Sequence, residues 1–263
     1  LPPAGPELFI ALDIDGTLVR RDGALSSRVC DAVRKHMEAG THLSLATGRG
    51  IPGAREVLDA AGMREGAAVC SNGAITPDVE RDAVLDSHTF DPSAGLAALH
   101  SLMPEALYAV ESIGRPRRVT ADFPPGELSG PSVVLPVEAL PVPDATRMIV
   151  RGLDEDPDEF LRVVRGAGLD GVEYYIGWTA WVDVAPEGTS KAAALEGVRR
   201  RLDVDPRATV AVGDGGNDVE MLGWAGLGVA MGGAPEPVAA AADAQTGSVE
   251  EDGLASLLDL LLG

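Results

Sequence analysis

Cysteines and long apolar runs are both scarce in this chain of 263 residues. Its two cysteines are Cys30 and Cys70, and Cys70 lies inside an apolar run, where a free thiol is commonly buried. No apolar run approaches the roughly 20 residues of a membrane-spanning helix, and the first residues lack the basic and apolar segments of a secretory leader. We therefore expect no disulfide framework, and a soluble protein in a reducing, cytoplasmic setting.

Basic residues are also in short supply, with 21 Lys and Arg against 41 Asp and Glu and a net charge of −20. A surface of this sign repels nucleic acids and anionic membranes, and neither is expected as a partner. If the substrate is itself an anion, a metal ion or a few local basic groups must supply the attraction. The charge balance therefore favours a cation site where an anionic substrate would bind.

The chain of 263 residues is longer than one average domain, which favours two domains. Its composition, with 45% hydrophobic and 24% charged residues, is typical of a globular protein. Towards both ends, short apolar runs alternate with helical stretches, which is the pattern of βαβ units. Strands are expected at residues 8–12, 43–46, 67–70, 209–212 and 227–230. Helices are expected at residues 27–39, from residue 52 onward, and at residues 190–201 and 219–225.

The middle of the chain has a different pattern, with α+β elements and Pro-rich loops between residues 123 and 143. We predict an α/β fold whose core is a Rossmann-like, doubly wound parallel sheet formed by residues 1–76 and 185–263. Residues 77–184 are expected to fold separately, as an inserted α+β cap domain.

Four of the expected core strands run directly into polar clusters. They read LFIALDIDGT, LSLATGR, AAVCSNG and TVAVGDGGND. The carboxyl ends of parallel strands share one edge of an open sheet, and that edge is where ligands bind. Residues far apart in the sequence are therefore expected to meet in one crevice.

Asp13 and Asp15 follow the first strand, and Gly16 then releases the chain into a turn. Two carboxylates can divide phosphoryl transfer, because one can attack phosphorus while the other protonates the leaving oxygen and later activates water. We interpret Asp13 as the nucleophile and Asp15 as the general acid/base. A turn-capping Asp is the simpler alternative for either residue alone, and a Ca²⁺ loop would need a ligand ladder and a terminal Glu that are absent.

A second acidic cluster contains Asp214, Asn217 and Asp218 and follows another expected strand. Mg²⁺ prefers one or two carboxylates together with waters and phosphate oxygens, so Asp13 and Asp214 suit it. Such an ion would neutralise phosphate charge and hold the phosphate in line with the nucleophile.

Two weaker signals concern phosphate binding. Thr47 and Gly48 precede a helix, where backbone N–H groups and a hydroxyl can meet an anion. Lys191 stands at a helix start, where a cation is unfavourably placed relative to the helix dipole. Alone, each is more often an ordinary connection or a solvated lysine.

Together these motifs resemble those of the haloacid dehalogenase superfamily of phosphohydrolases. Its four motifs occur in order, as DIDGT at residues 13–17, the threonine of LATGR (Thr47), the lysine of EGTSK (Lys191) and GDGGND at residues 213–218. The SNGA segment and the size and place of the insertion are similar to the Cof-type sugar phosphatases, which carry a C2-type cap. Four ordered motifs rarely coincide by chance.

The resemblance implies a Mg²⁺-dependent phosphatase that hydrolyses small phosphorylated metabolites, such as sugar phosphates, through an aspartyl-phosphate on Asp13. It implies that Asp13, the backbone carbonyl of Asp15, and Asp214 hold Mg²⁺, while Asp218 orients Lys191 or a water on the metal. Contacts with phosphate or substrate are implied for Thr47, Gly48, Arg49, Asn72, Lys191 and Asn217.

Two other functions share much of this pattern. A phospho-accepting receiver domain also combines an acidic Mg²⁺ site with Thr and Lys, but it would be shorter and would lack both the insertion and the second acid, Asp15. A phosphomutase of the same superfamily needs that acid and a cap, and the sequence separates it poorly from a phosphatase. Serine hydrolase chemistry lacks a G-x-S-x-G motif, and the four histidines have no metal-ligand spacing.

The cap is expected to select the leaving group. Its candidates for a second anionic group are Arg115, Arg117 and Arg118, and those for stacking on a ring are Tyr174, Trp178 and Trp181. An aromatic residue in a cap strand is more often part of the core than a ligand platform.

Overall fold

The computed structural model describes residues 1–20, 22–81, 83–153, 156–169, 171–176 and 179–263. Trp178, one of the stacking candidates, lies outside these described residues. The chain divides into two compact units. The core unit comprises Leu1–Asp86 and Ser190–Gly263, and the inserted unit comprises Ser87–Thr189.

The core unit begins with alternating strands and helices and then forms a hairpin. Its elements before the insertion are β1 (Phe9–Leu12), α1 (Ser27–Glu38), β2 (His42–Leu45), α2 (Ile51–Ala61), β3 (Ile75–Asp78) and β4 (Ala83–Ser87).

The inserted unit has two helices and a six-stranded sheet among its described residues. Its elements are α3 (Ser93–Leu102), β5 (Leu107–Glu111), β6 (Arg117–Val119), β7 (Ser132–Val134), β8 (Arg147–Arg151), α4 (Pro157–Gly166), β9 (Val172–Ile176) and β10 (Trp181–Pro186).

The chain then returns to the core unit and resumes the alternation. The remaining elements are α5 (Lys191–Leu202), β11 (Thr209–Gly213), α6 (Val219–Trp224), β12 (Leu227–Ala230), α7 (Glu236–Ala241), β13 (Ala244–Gln245) and α8 (Gly253–Leu262).

The core sheet is parallel, with the strand order β13-β12-β11-β1-β2. The chain leaves β1 toward β2 on one side and later returns to β11 on its other side. The strand order therefore reverses at β1, and ligands of open α/β sheets bind outside the carboxyl end of such a reversal point. The predicted α/β fold with a doubly wound parallel core is confirmed.

Each central strand is buried on both faces, as expected for a parallel sheet between two helix layers. Along β1, Ile10 and Leu12 pack to one side and Phe9 and Ala11 to the other. The first side packs against α1, α2 and α8, and the second against α5, α6 and α7. The short apolar run of β1 is thus fixed from both sides, which holds the residues that follow it.

Local signals set the ends of the helices next to the sheet. Ser26 Oγ accepts a hydrogen bond from the Val29 N–H at 3.2 Å, and Gly40 has the left-handed φ of +82° that ends the first helix. Ser190 Oγ accepts from the Ala193 N–H at 3.2 Å, so that α5 starts with Lys191. This cap therefore decides where the lysine side chain leaves the backbone.

The inserted unit has its own core. Its sheet has the order β7-β6-β5-β8-β10-β9 and is antiparallel except for the β6–β7 pair. Tyr108, Met148 and Val182 on one face pack against Leu99 of α3 and Phe160 of α4. An antiparallel sheet with both helices on one face is an α+β arrangement, as predicted.

The unit boundaries expected from the sequence, after residues 76 and 184, fall inside β3 and β10. β3 belongs to the core unit because Val79, which follows it, is buried there and donates a hydrogen bond to the Gly66 carbonyl at 2.9 Å. β10 belongs to the inserted unit because Pro186 pairs with Val172 of β9. β3 therefore stays in the core unit with most of β4, and β10 stays in the inserted unit with β9.

Residues 67–70 differ from the continuous strand that the sequence predicts. They pair at isolated positions, with Val69 parallel to Ala46 and Cys70 antiparallel to Ile75. The segment nevertheless extends the core sheet beyond β2, because the Val69 N–H donates to the Leu45 carbonyl at 2.7 Å. No helix among the described residues is both long and apolar enough to cross a bilayer.

Candidate active site

The carboxyl ends of β1 and β11 lie side by side at the centre of the core sheet, and Asp13 and Asp214 follow these strands directly. The Asp13 N–H still donates to the Val212 carbonyl at 3.0 Å, so the sheet pairing extends to this residue. Asp13 is only 4% exposed. The carboxylate of Asp13 is therefore placed by the central pair of strands.

Lys191 joins two of the predicted site residues. Its ammonium donates to Asp13 Oδ1 at 2.6 Å and to Asp218 Oδ1 at 2.7 Å, and its side chain is fully buried. A buried lysine requires partners of opposite charge, and these two carboxylates provide them. The third N–H of the ammonium can therefore meet an oxygen of a bound anion.

Both oxygens of Asp218 accept hydrogen bonds from protein groups. While one oxygen accepts from Lys191, Oδ2 accepts from the backbone N–H groups of Asp214 at 3.0 Å and Gly215 at 2.9 Å. A Cβ added to Gly213 would collide with this side chain, so glycine is required there. Asp218 therefore joins the lysine to the loop after β11.

Asp13, Asp214 and Asp218 form the one group of three potential metal ligands within the described ranges, with one oxygen of each lying within 4.8 Å of the others. Asp13 and Asp214 directly follow the two central strands, and their side chains are the candidates to hold a cation at this edge of the sheet. The Asp214 carboxylate lies directly against Gly16, where a Cβ would overlap it. Gly16 therefore lets this carboxylate approach the turn that contains Asp15.

The electrostatics of the cluster favour a cation. Burial is the largest cause that raises the pKa of Asp13 well above its usual value, and the carboxylates of Asp218, Asp214 and Asp15 add to it against the opposing effect of Lys191. Burial alone would lower the pKa of Lys191, but Asp13 and Asp218 outweigh it and raise that pKa. A bound cation would favour the charged form of Asp13.

Asp15 faces a different partner from Asp13. Arg49 holds it through two hydrogen bonds, from Nε to Oδ2 at 2.9 Å and from Nη2 to Oδ1 at 2.6 Å. The side chain of Asp15 is 57% exposed, whereas Asp13 is buried. The two carboxylates of the first motif thus occupy different environments, which is a requirement for different chemical roles.

Thr47 and Asn72 lie in two adjoining loops. Thr47 Oγ1 accepts from the Arg49 N–H at 3.0 Å, Gly48 lies between these two residues, and the Thr47 carbonyl accepts from the Asn72 N–H at 3.0 Å. Asn72 Oδ1 in turn accepts from Asn217 Nδ2 at 2.9 Å. The structure therefore links the phosphate-binding candidates of the second and fourth motifs through Asn72.

A family model described as haloacid dehalogenase-like hydrolase matches residues 10–107 and 144–258. The chain belongs to this family. The match covers both parts of the core unit and much of the inserted unit, and it confirms the resemblance found in the four sequence motifs.

Relatives of this hydrolase include phosphatases of similar length. It is 29% identical over 255 residues to the phosphoglycolate phosphatase of Natronomonas pharaonis, which covers 95% of this chain and 96% of that protein. It is 27% identical over 269 residues to the pyridoxal phosphate phosphatase YbhA of Escherichia coli, again with 95% and 96% covered. The family and these relatives identify it as a hydrolase of phosphoric monoesters.

The fold is shared with solved structures of the family. A haloacid dehalogenase-like hydrolase from Bacteroides thetaiotaomicron superposes with a TM-score of 0.82 over 97% of this chain and 99% of that one, at 23% sequence identity. At this identity the likeness concerns the fold, while the chemistry is argued from the residues of the site.

Most candidate residues in the inserted unit of the hydrolase have structural partners. Arg117 is buried and donates to Glu111 at 2.6 Å and to the Ser129 carbonyl at 2.7 Å. Of the other arginines, Arg115 pairs with Asp144 and Arg118 donates to the carbonyl of Ala139. Of the aromatic candidates, Trp181 donates to Asp183, whereas Tyr174 is exposed. Arg117 is therefore a packing residue of the sheet and a poor candidate for a second anion.

Sequence reasoning missed two contacts in the site of the hydrolase, the Arg49–Asp15 pair and the Asn72–Asn217 pair. Both join motifs that are distant along the chain, and no local spacing signals either of them. A third missed feature has a local signal, since Gly73 of the SNGA segment lies so close to the Ser190 carbonyl that a Cβ would collide with it. The glycine in that segment marks this close approach.

Proposed function

We propose that this hydrolase is a Mg²⁺-dependent phosphatase that acts on small phosphorylated metabolites through an aspartyl-phosphate on Asp13. The charge balance of the buried cluster carries the proposal. Oxygens of Asp13, Asp214 and Asp218 lie within 4.8 Å of one another, and the ammonium of Lys191 contacts Asp13 and Asp218. Three buried carboxylates beside this ammonium favour a divalent cation, and oxygen ligands of this kind suit Mg²⁺.

Asp13, Asp214 and the backbone carbonyl of Asp15 would hold the ion, and the donor set fits it because two carboxylates leave room for waters and phosphate oxygens. When bound, Mg²⁺ neutralises the phosphate and makes its phosphorus accessible to an anionic nucleophile. Every proton transfer in the reaction belongs to side chains of the protein.

In the first half-reaction, a carboxylate oxygen of Asp13 attacks phosphorus as the bond from phosphorus to the leaving oxygen breaks. Asp15, in its protonated form, gives its proton to that oxygen, which departs as an alcohol. The phosphoryl group is then held as a mixed anhydride on Asp13, while Asp15 is a carboxylate.

In the second half-reaction, Asp15 takes a proton from water as the water oxygen attacks phosphorus. The bond between phosphorus and Asp13 breaks, inorganic phosphate leaves, and Asp15 is protonated again. The different surroundings of the two carboxylates support this division, since Asp13 is buried beside Lys191 whereas Asp15 is accessible to water.

Phosphate oxygens are expected to meet Lys191, Thr47, Gly48 and Asn217, with a further contact from Arg49, while Asn72 is hydrogen-bonded to Asn217. The ammonium of Lys191 and the guanidinium of Arg49 are cationic donors that strengthen such hydrogen bonds. They supply locally the attraction that a chain of net charge −20 lacks at long range.

We infer that the substrate is a sugar phosphate or a similar small phosphomonoester and that the inserted unit selects it. The named relatives act on phosphoglycolate and on pyridoxal phosphate, which share a phosphoryl group and little else. The same core chemistry therefore serves different leaving groups. A cytoplasmic setting, where such metabolites occur, remains a prediction.

The mechanism is tested by comparing Asp13→Asn and Asp15→Asn with p-nitrophenyl phosphate as substrate. Asp13→Asn should abolish turnover and leave the thermal unfolding transition in place. Asp15→Asn should slow turnover on the order of 10²–10⁴-fold. Since nitrophenolate leaves without a proton, the second half-reaction should suffer more, and mass spectrometry of acid-quenched protein should detect phosphate on the peptide with Asp13. Substantial activity in a folded Asp13→Asn protein would exclude the mechanism.

A further inference from the structure

Residues 71–73 form a turn in which three consecutive residues have a left-handed backbone. The φ angles are +51° for Ser71, +54° for Asn72 and +105° for Gly73. Serine rarely adopts this region, and asparagine does so more readily but as a single residue. Two adjacent non-glycine residues in this conformation are a backbone outlier that the surrounding structure must maintain.

The surroundings do hold this turn on several sides. The Ser71 N–H donates to the Arg49 carbonyl at 2.9 Å, and the Asn72 N–H donates to the Thr47 carbonyl at 3.0 Å. On another side, Gly73 lies against the Ser190 carbonyl with no room for a Cβ. The turn therefore joins the loop after β2 to the residue that caps α5.

The side chain of Asn72 extends this connection to the loop after β11. Its Oδ1 accepts a hydrogen bond from Asn217 Nδ2 at 2.9 Å, and Asn72 is buried. On the opposite end of the same amide, Asn217 Oδ1 would lie 2.8 Å from a Cβ at Gly215. The Asn217 amide thus has its nitrogen toward Asn72 and its oxygen toward Gly215.

An asparagine amide can rotate so that its donor and acceptor ends exchange, and only its hydrogen bonds decide between the two orientations. An acceptor at Asn72 keeps the nitrogen of Asn217 on the Asn72 side. The nitrogen carries two N–H groups, so that one can donate to Asn72 while the other donates to an anion. With the amide reversed, an oxygen would face that anion and repel it.

We infer that Asn72 is a positioning residue that acts on the bound phosphate through Asn217, by fixing which end of the Asn217 amide faces the anion. The left-handed Ser71–Asn72 backbone is the device that brings the Asn72 oxygen to this place. The inference rests on the proposed function in one respect, namely that Asn217 meets phosphate. It replaces a direct contact between Asn72 and substrate with an indirect one.

A double-mutant cycle tests this inference, with Asn72→Gly, Asn217→Ala and the double variant. Glycine is chosen at position 72 because it accepts the left-handed backbone, so the turn can still form. The measured quantities are the affinity for inorganic phosphate in the presence of Mg²⁺, by calorimetry, and kcat/KM for p-nitrophenyl phosphate. Asn72→Gly should weaken phosphate binding about tenfold alone, and should have no further effect when Asn217 is already alanine. Equal losses in both backgrounds would overturn the inference.

The side-chain amide resonances of Asn217 in a ¹H–¹⁵N spectrum provide a readout that a general loss of structure would not mimic. Asn72→Asp retains an oxygen that can accept from Asn217 Nδ2, so these resonances should stay near their wild-type positions. In Asn72→Gly they should move toward those of a solvated amide. Unmoved resonances in Asn72→Gly would also overturn the inference.

Ser71→Gly is the matched control, because it relieves the neighbouring left-handed residue and leaves the Asn72 amide in place. The Ser71 hydroxyl is buried and has no partner within the described part of the chain, so its removal costs no hydrogen bond. This variant should have a higher Tm than the wild type and the same affinity for phosphate. If Ser71→Gly lost as much phosphate affinity as Asn72→Gly, the effect would belong to the backbone, which would contradict a role for the amide. A wild-type protein that binds phosphate with this coupling but does not hydrolyse esters would refute the proposed function alone.

Discussion

Arg49 donates hydrogen bonds to both carboxylate oxygens of Asp15, from Nε to Oδ2 at 2.9 Å and from Nη2 to Oδ1 at 2.6 Å. Two parallel bonds of this kind fix the plane of the carboxylate as well as its distance. Arg49 is itself fixed, since its N–H donates to Thr47 Oγ1 and its aliphatic chain packs against Gly53. The proposed acid/base is therefore oriented from the loop that also carries Thr47, a proposed phosphate ligand.

Replacement of Arg49 by lysine tests whether Arg49 orients Asp15. Lysine keeps the positive charge but cannot make two parallel hydrogen bonds to the carboxylate. We expect kcat of Arg49→Lys to fall by roughly 10²-fold, the size of effect that a displaced catalytic group produces. The measurement is steady-state hydrolysis of p-nitrophenyl phosphate and of an alkyl phosphate, whose leaving group needs a proton. The alkyl phosphate should suffer more.

The control combines Arg49→Lys with Asp15→Asn and compares this double variant with Asp15→Asn alone. If Arg49 acts by orienting Asp15, its replacement should have little additional effect on kcat once the carboxylate is gone, and any remaining change should appear in KM. An undiminished fall in kcat in that background would show that Arg49 acts independently of Asp15.

Removal of the metal ion should stop the reaction. EDTA should abolish hydrolysis, Mg²⁺ should restore it, and Ca²⁺ should restore it poorly because its larger and looser ligand shell spoils the in-line geometry. In Asp214→Asn, the Mg²⁺ concentration for half-maximal activity should rise at least about tenfold. The control is Asp205→Asn, which changes the net charge equally at an exposed position. Full activity after chelation, or equal shifts in both variants, would contradict the role given to Asp214.

The parts of the site that the sequence predicts are those that depend on strand ends. Asp13 and Asp214 each come directly after an apolar run, and the edge shared by parallel strands brings them together whatever the details of the loops. Lys191 is recognised only in combination with the other motifs, because a lysine at a helix start is by itself more often solvated.

The remaining contacts depend on side-chain rotamers and on loop conformations that no periodicity encodes. The Arg49–Asp15 pair spans 34 residues and the Asn72–Asn217 pair spans 145, so each forms only once the sheet is assembled. The boundary within β3 has the same cause, since only the structure shows that Val79 returns to the buried core. Local sequence gives no measure of such long-range packing.

The fold disfavours protonation of His36. It is fully buried, its Nε2 lies 2.9 Å from the Leu258 carbonyl, and its Nδ1 lies 3.2 Å from Thr41 Oγ1. The carbonyl can only accept, so Nε2 carries the proton. Nδ1 then accepts from the Thr41 hydroxyl, and every partner is satisfied by the neutral ring.

Burial lowers the pKa of His36, and the bond to Leu258 offsets this only in part. The unfolded side chain titrates near its usual pKa of about 6.5, so below that pH the unfolded state binds more protons than the folded state. The free energy of unfolding should therefore decline as the pH falls from about 7.5 through this value. Urea titrations between pH 7.5 and 5.5 measure it, and His36→Gln, which keeps a donor for Leu258 but cannot titrate, should show a smaller decline. Parallel curves for the two proteins would contradict this account.

We propose the inserted unit as the specificity element of the hydrolase, and a deletion can test this role. The structure places its limits at Ser87 and Thr189, with a buried core of its own, and the core unit likewise has its own buried clusters. Deleting residues 87–189 and joining the ends with a Gly-Ser linker keeps β3, most of β4 and the Ser190 cap, whereas a deletion from residue 81 to residue 183 would cut into both units.

The truncated protein should fold and should still hydrolyse p-nitrophenyl phosphate, because every proposed catalytic residue lies in the core unit. Hydrolysis of metabolite phosphates should suffer more, since binding energy from the non-reacting part of the substrate drives catalysis and would be lost with the insertion. The comparison is the ratio of kcat/KM for the two substrate types before and after truncation, with circular dichroism and a cooperative unfolding transition as evidence of folding. An equal fall for both types in a folded core would mean that the inserted unit does not select the substrate.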